Sequence, residues 1–250
     1  MTNQPLATVK LCDLIINYIE NKTPSSFIRL GDGEAIMIGY NDISSPSEIT
    51  MMTKKIFGNY PFTKEQLLHL KELLIASCQG ANIIGVPPAK NRTLSKYYRW
   101  IEDIFIPKYK LFDSNIQLAL ASFHRNLQEE NLYEKILKNK TKIYCISGRQ
   151  VKEVIENRFN VKCELIKVPL QSSDSHNSYN NHPDLYKNIV EQIRVKHQGD
   201  LWLVGAGFYG KAYCNEIKKR GGIAIDVGSI FDAWLGIRSR GYISEDYKII

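Results

Sequence analysis

Leu201-Trp202-Leu203-Val204-Gly205-Ala206-Gly207-Phe208-Tyr209-Gly210 reads as an apolar strand that runs into a glycine turn and opens a helix. A short continuous apolar run bounded by glycines suits a strand covered on both faces. The helix continues over Lys211 to Arg220, and Ile223 to Val227 is the next strand. Upstream the same alternation holds. Lys142 to Ile146 is a strand, Ser147-Gly148-Arg149 a turn, Gln150 to Arg158 a helix, and Cys163 to Val168 a strand. A polar loop over 169–183 leads into a helix from Asp184 to Lys196. Strands alternating with helices predict an α/β, Rossmann-like, mostly parallel sheet with helices on both faces.

The N-terminal half is richer in helices. Leu11, Leu14, Ile15, Tyr18 and Ile19 recur at helical spacing, and that helix ends near Asn21. Ser26 to Leu30 is a short strand, Gly31-Asp32-Gly33-Glu34 a turn, and Ala35 to Tyr40 a helix. Helical patterns follow around Ser47–Phe57 and Thr63–Ser77, then a strand from Asn82 to Val86 that Pro87-Pro88 stops. Thr93 to Phe105 reads as an aromatic-rich helix and Ile116 to Ala121 as a strand. There is no repeat, low-complexity tract or linker, so 1–250 reads as a single domain with a helical insertion around 41–110.

Composition bounds the partners. A hydrophobic fraction of 44% and a charged fraction of 24% are those of a globular chain that folds without staples. The net charge of +7 favours anionic partners, but no run of Lys or Arg supports a nucleic-acid arm. Cys12, Cys78, Cys145, Cys163 and Cys214 are scattered, with no CxxC pair, as expected of buried reduced thiols in the cytoplasm. The first ten residues carry no apolar signal core, and nothing approaches a membrane span. The expected location is therefore cytoplasmic, with peripheral membrane contact left open.

In parallel sheets of this kind ligands bind beyond the carboxyl ends of the strands. Three turns follow strands here: Gly31–Glu34, Ser147–Arg149 and Gly205–Gly210. In an extended segment Asp32 and Glu34 would point to the same side and converge on one Mg²⁺ or Mn²⁺, which prefer oxygen ligands and bridge to phosphates. Gly31 and Gly33 would let backbone approach a ligand. Arg29, inside an otherwise apolar strand, needs a counter-charge, which Asp32, Glu34 or a phosphate would supply. On spacing alone the same turn also suits a helix cap, with Asp32 capping and Glu34 in the first turn.

Gly205, Gly207 and Gly210 form a GxGxxG match between strand and helix, with Asp226 at the tip of the next strand. The turn suits a phosphate and Asp226 a ribose hydroxyl. A nicotinamide- or flavin-dependent oxidoreductase is therefore an alternative, although only 40 residues follow Gly210. A non-catalytic nucleotide-binding module is another. Ser229 is positioned to cap a helix carrying Asp232 and Trp234. A loop rich in Ser, Asn and His contains His176 and His182, and Asp232, His182 and Glu34 are the candidates for a general base. Arg238 and Arg240 add positive charge. Tyr97, Tyr98 and Trp100 read as helix-packing residues. Neither a GxSxG elbow nor a GxxxxGK[ST] loop is present.

Phe27-Ile28-Arg29-Leu30-Gly31-Asp32-Gly33-Glu34 resembles the RxGDGE signature of bacterial GT-D-type glycosyltransferases. The stretch from Val204-Gly205-Ala206-Gly207 through Lys218-Lys219-Arg220-Gly221-Gly222 to Ile225-Asp226-Val227-Gly228-Ser229 is similar to that family's closing region. The resemblance implies a Rossmann-like nucleotide-binding fold. It also implies a DXE motif, matched by Asp32 and Glu34, that is linked to a divalent metal and the sugar donor. The expected activity is transfer from a nucleotide-sugar, often a UDP-sugar, to a glycan or glycoprotein acceptor in bacterial surface polysaccharide or glycoprotein biosynthesis. The polar loop has no counterpart to carry over.

Overall fold

The computed structural model describes residues 5–87, 96–112, 116–170 and 182–239. Its centre is a seven-stranded sheet, parallel at every pairing, in the order β3-β2-β1-β7-β6-β4-β5. The strands are β1 (Ser25–Arg29), β2 (Ile83–Val86), β3 (Gln117–Leu120), β4 (Lys142–Ser147), β5 (Lys162–Lys167), β6 (Leu201–Gly205) and β7 (Ile223–Asp226). All lie within a residue or two of the strands expected from the apolar runs. For β1, β2, β4, β6 and β7 the cause is shared: a strand buried on both faces must be apolar at successive positions, whereas the edge strands β3 and β5 are partly exposed. The α/β, Rossmann-like reading therefore holds.

The first half of the chain makes β1 to β3 by stepping outward from the centre. The chain then crosses from the β3 edge to β4 on the far side. The last strand, β7, enters between β1 and β6, its residues Ile223 to Ile225 pairing with Ser25 to Phe27 on one side and with Leu201 to Leu203 on the other.

Helices cover both faces. Between β1 and β2 come α1's successors α2 (Asp32–Ile38), α3 (Pro46–Phe57) and α4 (Lys64–Gln79), α1 itself being Thr8–Glu20 ahead of β1. Two of these starts are spelled out locally. Ser45 caps α3 with Glu48 returning the bond and Pro46 entering the first turn, and Thr63 caps α4 with Gln66 in the same reciprocal arrangement. Between β2 and β3 run α5 (Lys96–Arg99), a π-helical stretch (Trp100–Phe105) and α6 (Ile106–Tyr109). The segment 41–110 thus holds β2 as well as helices, so its helical material is split between two crossovers. The rest are α7 (Phe123–Glu129), α8 (Leu132–Leu137), α9 (Lys152–Phe159), α10 (His182–Gln192), α11 (Gly207–Lys219) and α12 (Ile230–Trp234).

Alternate strand residues feed two separate cores. Ile28, Ile84, Ile146, Trp202, Val204 and Ala224 pack with α2, α3, α4, α10 and α11. Phe27, Ile83, Ile143, Cys145, Leu203 and Ile225 pack with α1, α7, α8, α9 and α12. All five cysteines are free and buried. Among the described residues no helix is long and apolar enough to cross a membrane.

Candidate active site

The carboxyl ends of β1, β4, β6 and β7 open into one cleft of about 480 Å³. It is lined by all three turns singled out in the sequence: Gly31, Asp32 and Glu34 after β1; Ser147, Gly148 and Arg149 after β4; Gly205, Ala206 and Gly207 after β6. Beyond β3, Ser122 and, at the start of α7, His124 and Arg125 join them. Asp226, Gly228, Ser229 and Asp232 complete the β7 side.

The acidic turn differs from expectation in one respect that matters. The helix begins at Asp32 and not at Ala35, with Gly31 as its N-cap. Asp32 and Glu34 therefore sit on a helix, where residues two apart do not face each other. They do not converge. Asp32 is exposed, with Oδ1 accepting the Gly33 N–H at 2.9 Å. Glu34 turns inward, its Oε2 accepting the Gly31 N–H at 2.9 Å and its Oε1 held by Lys211 Nζ at 2.6 Å. Gly33 is a packing residue: a Cβ there would lie 2.9 Å from the Phe208 ring, which ties the acidic turn to the start of α11.

Arg29 also finds a different partner. Its Nη2 donates to Asp226 Oδ1 at 3.0 Å and its Nε to the Asp226 carbonyl at 3.2 Å, a fork that spans the ends of β1 and β7. Neither Asp32 nor Glu34 pairs with it, because the helical turn has carried both away. Arg29 Nη1 lies 3.0 Å from His124 Nε2 and 3.1 Å from Nδ1. A guanidinium can only donate, so the ring is the acceptor and must be neutral. Burial, followed by the charges of Arg29, Arg125 and Lys211, pushes the His124 pKa well down.

Asp226 is 2% exposed and its Oδ2 lies 3.3 Å from Lys211 Nζ. Burial raises its pKa, but Arg29 and Lys211 outweigh that and the carboxyl is held below its ordinary value. It is an internal counter-ion at the wall of the cleft. Lys211 shows the mirror-image balance: burial depresses it, Asp226 and Glu34 raise it, and the net direction is up. Arg29, Lys211, Glu34 and Asp226 thus form a group of two positive and two negative side chains, Lys211 and Asp226 buried and Arg29 and Glu34 partly so.

The glycine turn is built as its motif suggests, with a separate reason at each position. Gly205 gives room, since a Cβ would come 2.6 Å from the Phe231 ring. Gly207 has φ +55 and nothing within 4 Å of a Cβ, so its need is conformational and its open side faces the cleft. Gly210 meets Val204 and Ala206 only at ordinary contact, 3.5 and 3.7 Å. The N-cap of α11, Ala206, offers no side-chain cap, and the first turn carries no acid. Its leading N–H groups are those that a bound anion satisfies.

On the β4 side Arg149 Nε pairs with Asp232 Oδ1 at 2.6 Å, and Ser239 donates to the other oxygen of Asp232. The Arg149 N–H is fixed by Ser147 Oγ at 2.9 Å. Asp232 is therefore not poised as a base in this arrangement. Ser229 is the N-cap residue of α12 but makes no capping bond with its side chain. His182 begins α10, but its side chain lies outside the described residues, as do His176 and Arg240. Tyr98, read from sequence as a packing residue, lines the cleft.

Lys211, His124 and Arg125 were not singled out by sequence reading. Lys211 directly follows the third glycine of the motif and is the fifth residue of α11, flanked by residues that are themselves buried. His124 and Arg125 follow β3 as the other turns follow their strands.

A doubly wound parallel sheet with several turns gathered at one crevice is a Rossmann-like α/β fold. The GT-D-like family model, a GT-D fold-like domain, matches residues 6–234, and the chain belongs to that family. Among solved structures, a selenomethionine-substituted domain of unknown function 1792 superposes with a TM-score of 0.56 at 15% identity, covering 92% of this chain and 87% of that one. A structure described as a new glycosyltransferase (DUF1792) from Streptococcus sanguinis gives 0.52 at 14% identity over 90% of this chain and 83% of that one. A third, of domain of unknown function 1792 described as having a distinct glycosyltransferase fold, gives 0.54 at 16% identity over 90% of this chain and 81% of that one. At these identities the likeness is one of fold. No curated protein matches the sequence.

Proposed function

We propose that this GT-D-like chain is a glycosyltransferase that moves a sugar from a nucleotide-sugar, a UDP-sugar in the first instance, to a glycan or glycoprotein acceptor in bacterial surface polysaccharide or glycoprotein synthesis. The observation that carries the reading is the meeting of the uncapped N-terminus of α11 with the exposed carboxylate of Asp32 in one cleft of about 480 Å³. A diphosphate accepts hydrogen bonds along one edge and presents charge to its surroundings, and the start of α11 supplies the donors. Gly207 lets that backbone approach without a side chain in the way.

A divalent metal fits the donor set only in part. Asp32 offers an exposed oxygen at the cleft, and Mg²⁺ is commonly held by one or two carboxylates together with substrate phosphates. Glu34 has both oxygens engaged. Among the described residues no group of three metal-ligating side chains is assembled. A metal held at Asp32 would offset the charge that builds on the departing diphosphate. Lys211, buried behind Glu34 and Asp226, contributes fixed positive charge to the same wall, and Arg149 stands on the opposite side. The aromatic ring of Tyr98 at the rim offers an apolar face for a sugar ring.

The test is a thermal-shift titration of the full chain with UDP, UDP-sugars, NAD and NADP, each with and without Mn²⁺, run beside an assay of donor hydrolysis. Stabilisation by UDP or a UDP-sugar, with donor turnover that Asp32→Ala abolishes without lowering the melting temperature, is the expected result. Stabilisation by NAD or NADP alone, or a fully active Asp32→Ala chain, would overturn it.

A further inference from the structure

The two carboxylates of the Asp32-Gly33-Glu34 turn have different surroundings. They occupy the first and third positions of α2, and helical residues two apart diverge by roughly 200° about the axis. Asp32 is left exposed at the cleft. Glu34 is fixed at both oxygens, by the Gly31 N–H at 2.9 Å and by Lys211 Nζ at 2.6 Å. Lys211 is itself only 4% exposed and has two further anchors, Asp226 Oδ2 at 3.3 Å and the Gly207 carbonyl at 3.2 Å. For Glu34 to bind a cation, this ammonium would have to give up that carboxylate and stay nearly buried with less than its full counter-charge. An unpaired buried charge of that kind is costly.

From this we propose that Lys211 occupies the place of a cation beside Glu34, so that Asp32 alone of the pair is the carboxylate that holds a divalent metal. Lys211 is then a positioning residue. It locks Glu34 against the N-terminus of α2, and it joins α2 to α11 through one salt bridge, so the acidic turn and the glycine turn keep a fixed separation. The inference rests on the reading of the cleft as a donor site and says which part of that site a metal can use.

The experiment measures Mn²⁺ affinity by electron paramagnetic resonance on the full chain in the presence of UDP. Wild type is compared with Asp32→Asn and Glu34→Gln. Glutamine keeps an acceptor for the Gly31 N–H. The expected result is that Asp32→Asn weakens Mn²⁺ binding by about tenfold or more. Glu34→Gln changes it by less than about threefold, the size of one charge acting through solvent at a distance. Lys211→Gln, which releases Glu34 toward the cleft, tightens it. A Glu34→Gln chain that folds and loses Mn²⁺ binding as fully as Asp32→Asn does overturns the proposal and leaves the glycosyltransferase reading standing. A wild type that hydrolyses a UDP-sugar but binds no Mn²⁺ also overturns the proposal alone. A wild type that neither binds UDP nor turns over a donor overturns both. Should the buried variants fail to fold, anomalous diffraction from wild-type crystals with Mn²⁺ and UDP decides. Glu34 bonded to Lys211 supports the proposal, and Glu34 bonded to manganese overturns it.

Discussion

Arg29 Nη2 donates to Asp226 Oδ1 across 3.0 Å, joining the ends of two strands that are neighbours in the sheet and 197 residues apart in the chain. The same guanidinium reaches the Asp226 carbonyl through Nε, so the contact is a fork and not a point charge. Arg29→Met would leave Asp226 with Lys211 as its remaining cation. A loss of about 3 kcal/mol is expected, the scale seen when one partner of a buried pair is removed. Arg29→Lys should recover only part of it, because an ammonium cannot span both acceptors. Urea denaturation of the three chains measures this; equal stability of Arg29→Met and wild type would contradict it.

Gly228 makes room for that fork. Its φ is +52, and a Cβ added there would run into the Arg29 guanidinium. Gly228→Ala combines a left-handed backbone strain of about 1–2 kcal/mol with displacement of Arg29. It should lower stability by more than backbone strain alone and reduce donor turnover as well. The reading fails if the variant loses stability while keeping wild-type turnover.

His124 predicts a pH dependence. Its folded pKa is depressed, so the group contributes stability above its unfolded pKa, near 6.5. That contribution is lost as the pH falls below this value, because the unfolded chain takes up a proton that the folded chain refuses. The slope should be about 1.4 kcal/mol per pH unit for this one group. Denaturation at about pH 7.5 and about pH 5.5 reads it, and His124→Gln should flatten the difference by one proton's worth. An unchanged slope in His124→Gln would show that the protons enter elsewhere.

The glycines of the second turn should separate by substitution. Gly210→Ala meets ordinary contacts and replaces a helical glycine, so stability should hold or rise by up to about 1 kcal/mol. Gly205→Ala forces a methyl to within 2.6 Å of Phe231 and should destabilise. Melting temperatures of the two variants, measured side by side, decide whether the turn is set by packing or by the motif as a whole.

Much of the frame was legible because burial on both faces leaves a mark in sequence. Ile83 to Val86 and Leu201 to Val204 are apolar at every position or interrupted only by glycine, and such runs admit few other readings. The turns at the strand ends were legible for the same reason, since a strand's position fixes where its loop emerges. What the sequence could not disclose is which charges meet. Arg29 lies three residues from Asp32 in the chain but pairs with Asp226, because only strand order decides which carboxylate arrives beside it. The helix starts at Asp32, three residues before the Ala35 that the apolar pattern suggests, and that changes the chemistry. An extended Asp32-Gly33-Glu34 would converge on a cation, whereas the helical one sends Glu34 to Lys211. A lysine just after a glycine turn reads as solvated until the strands that bring Glu34 and Asp226 to it are known.

The placement of β7 between β1 and β6 has a consequence for how the protein is made. The strands β1 to β3 and β4 to β6 are two partial sheets, and a strand made after both of them is the one that joins them. Until residues 223–226 emerge, two sheet edges stand open and the charges of Arg29, Glu34 and Lys211 lack Asp226. A chain interrupted before that point would carry both exposed edges, the kind of surface that recruits strands from other chains. Synthesis therefore completes the described sheet and the cleft at its strand ends in the same step, so a product truncated before β7 is a candidate for aggregation and not for partial activity.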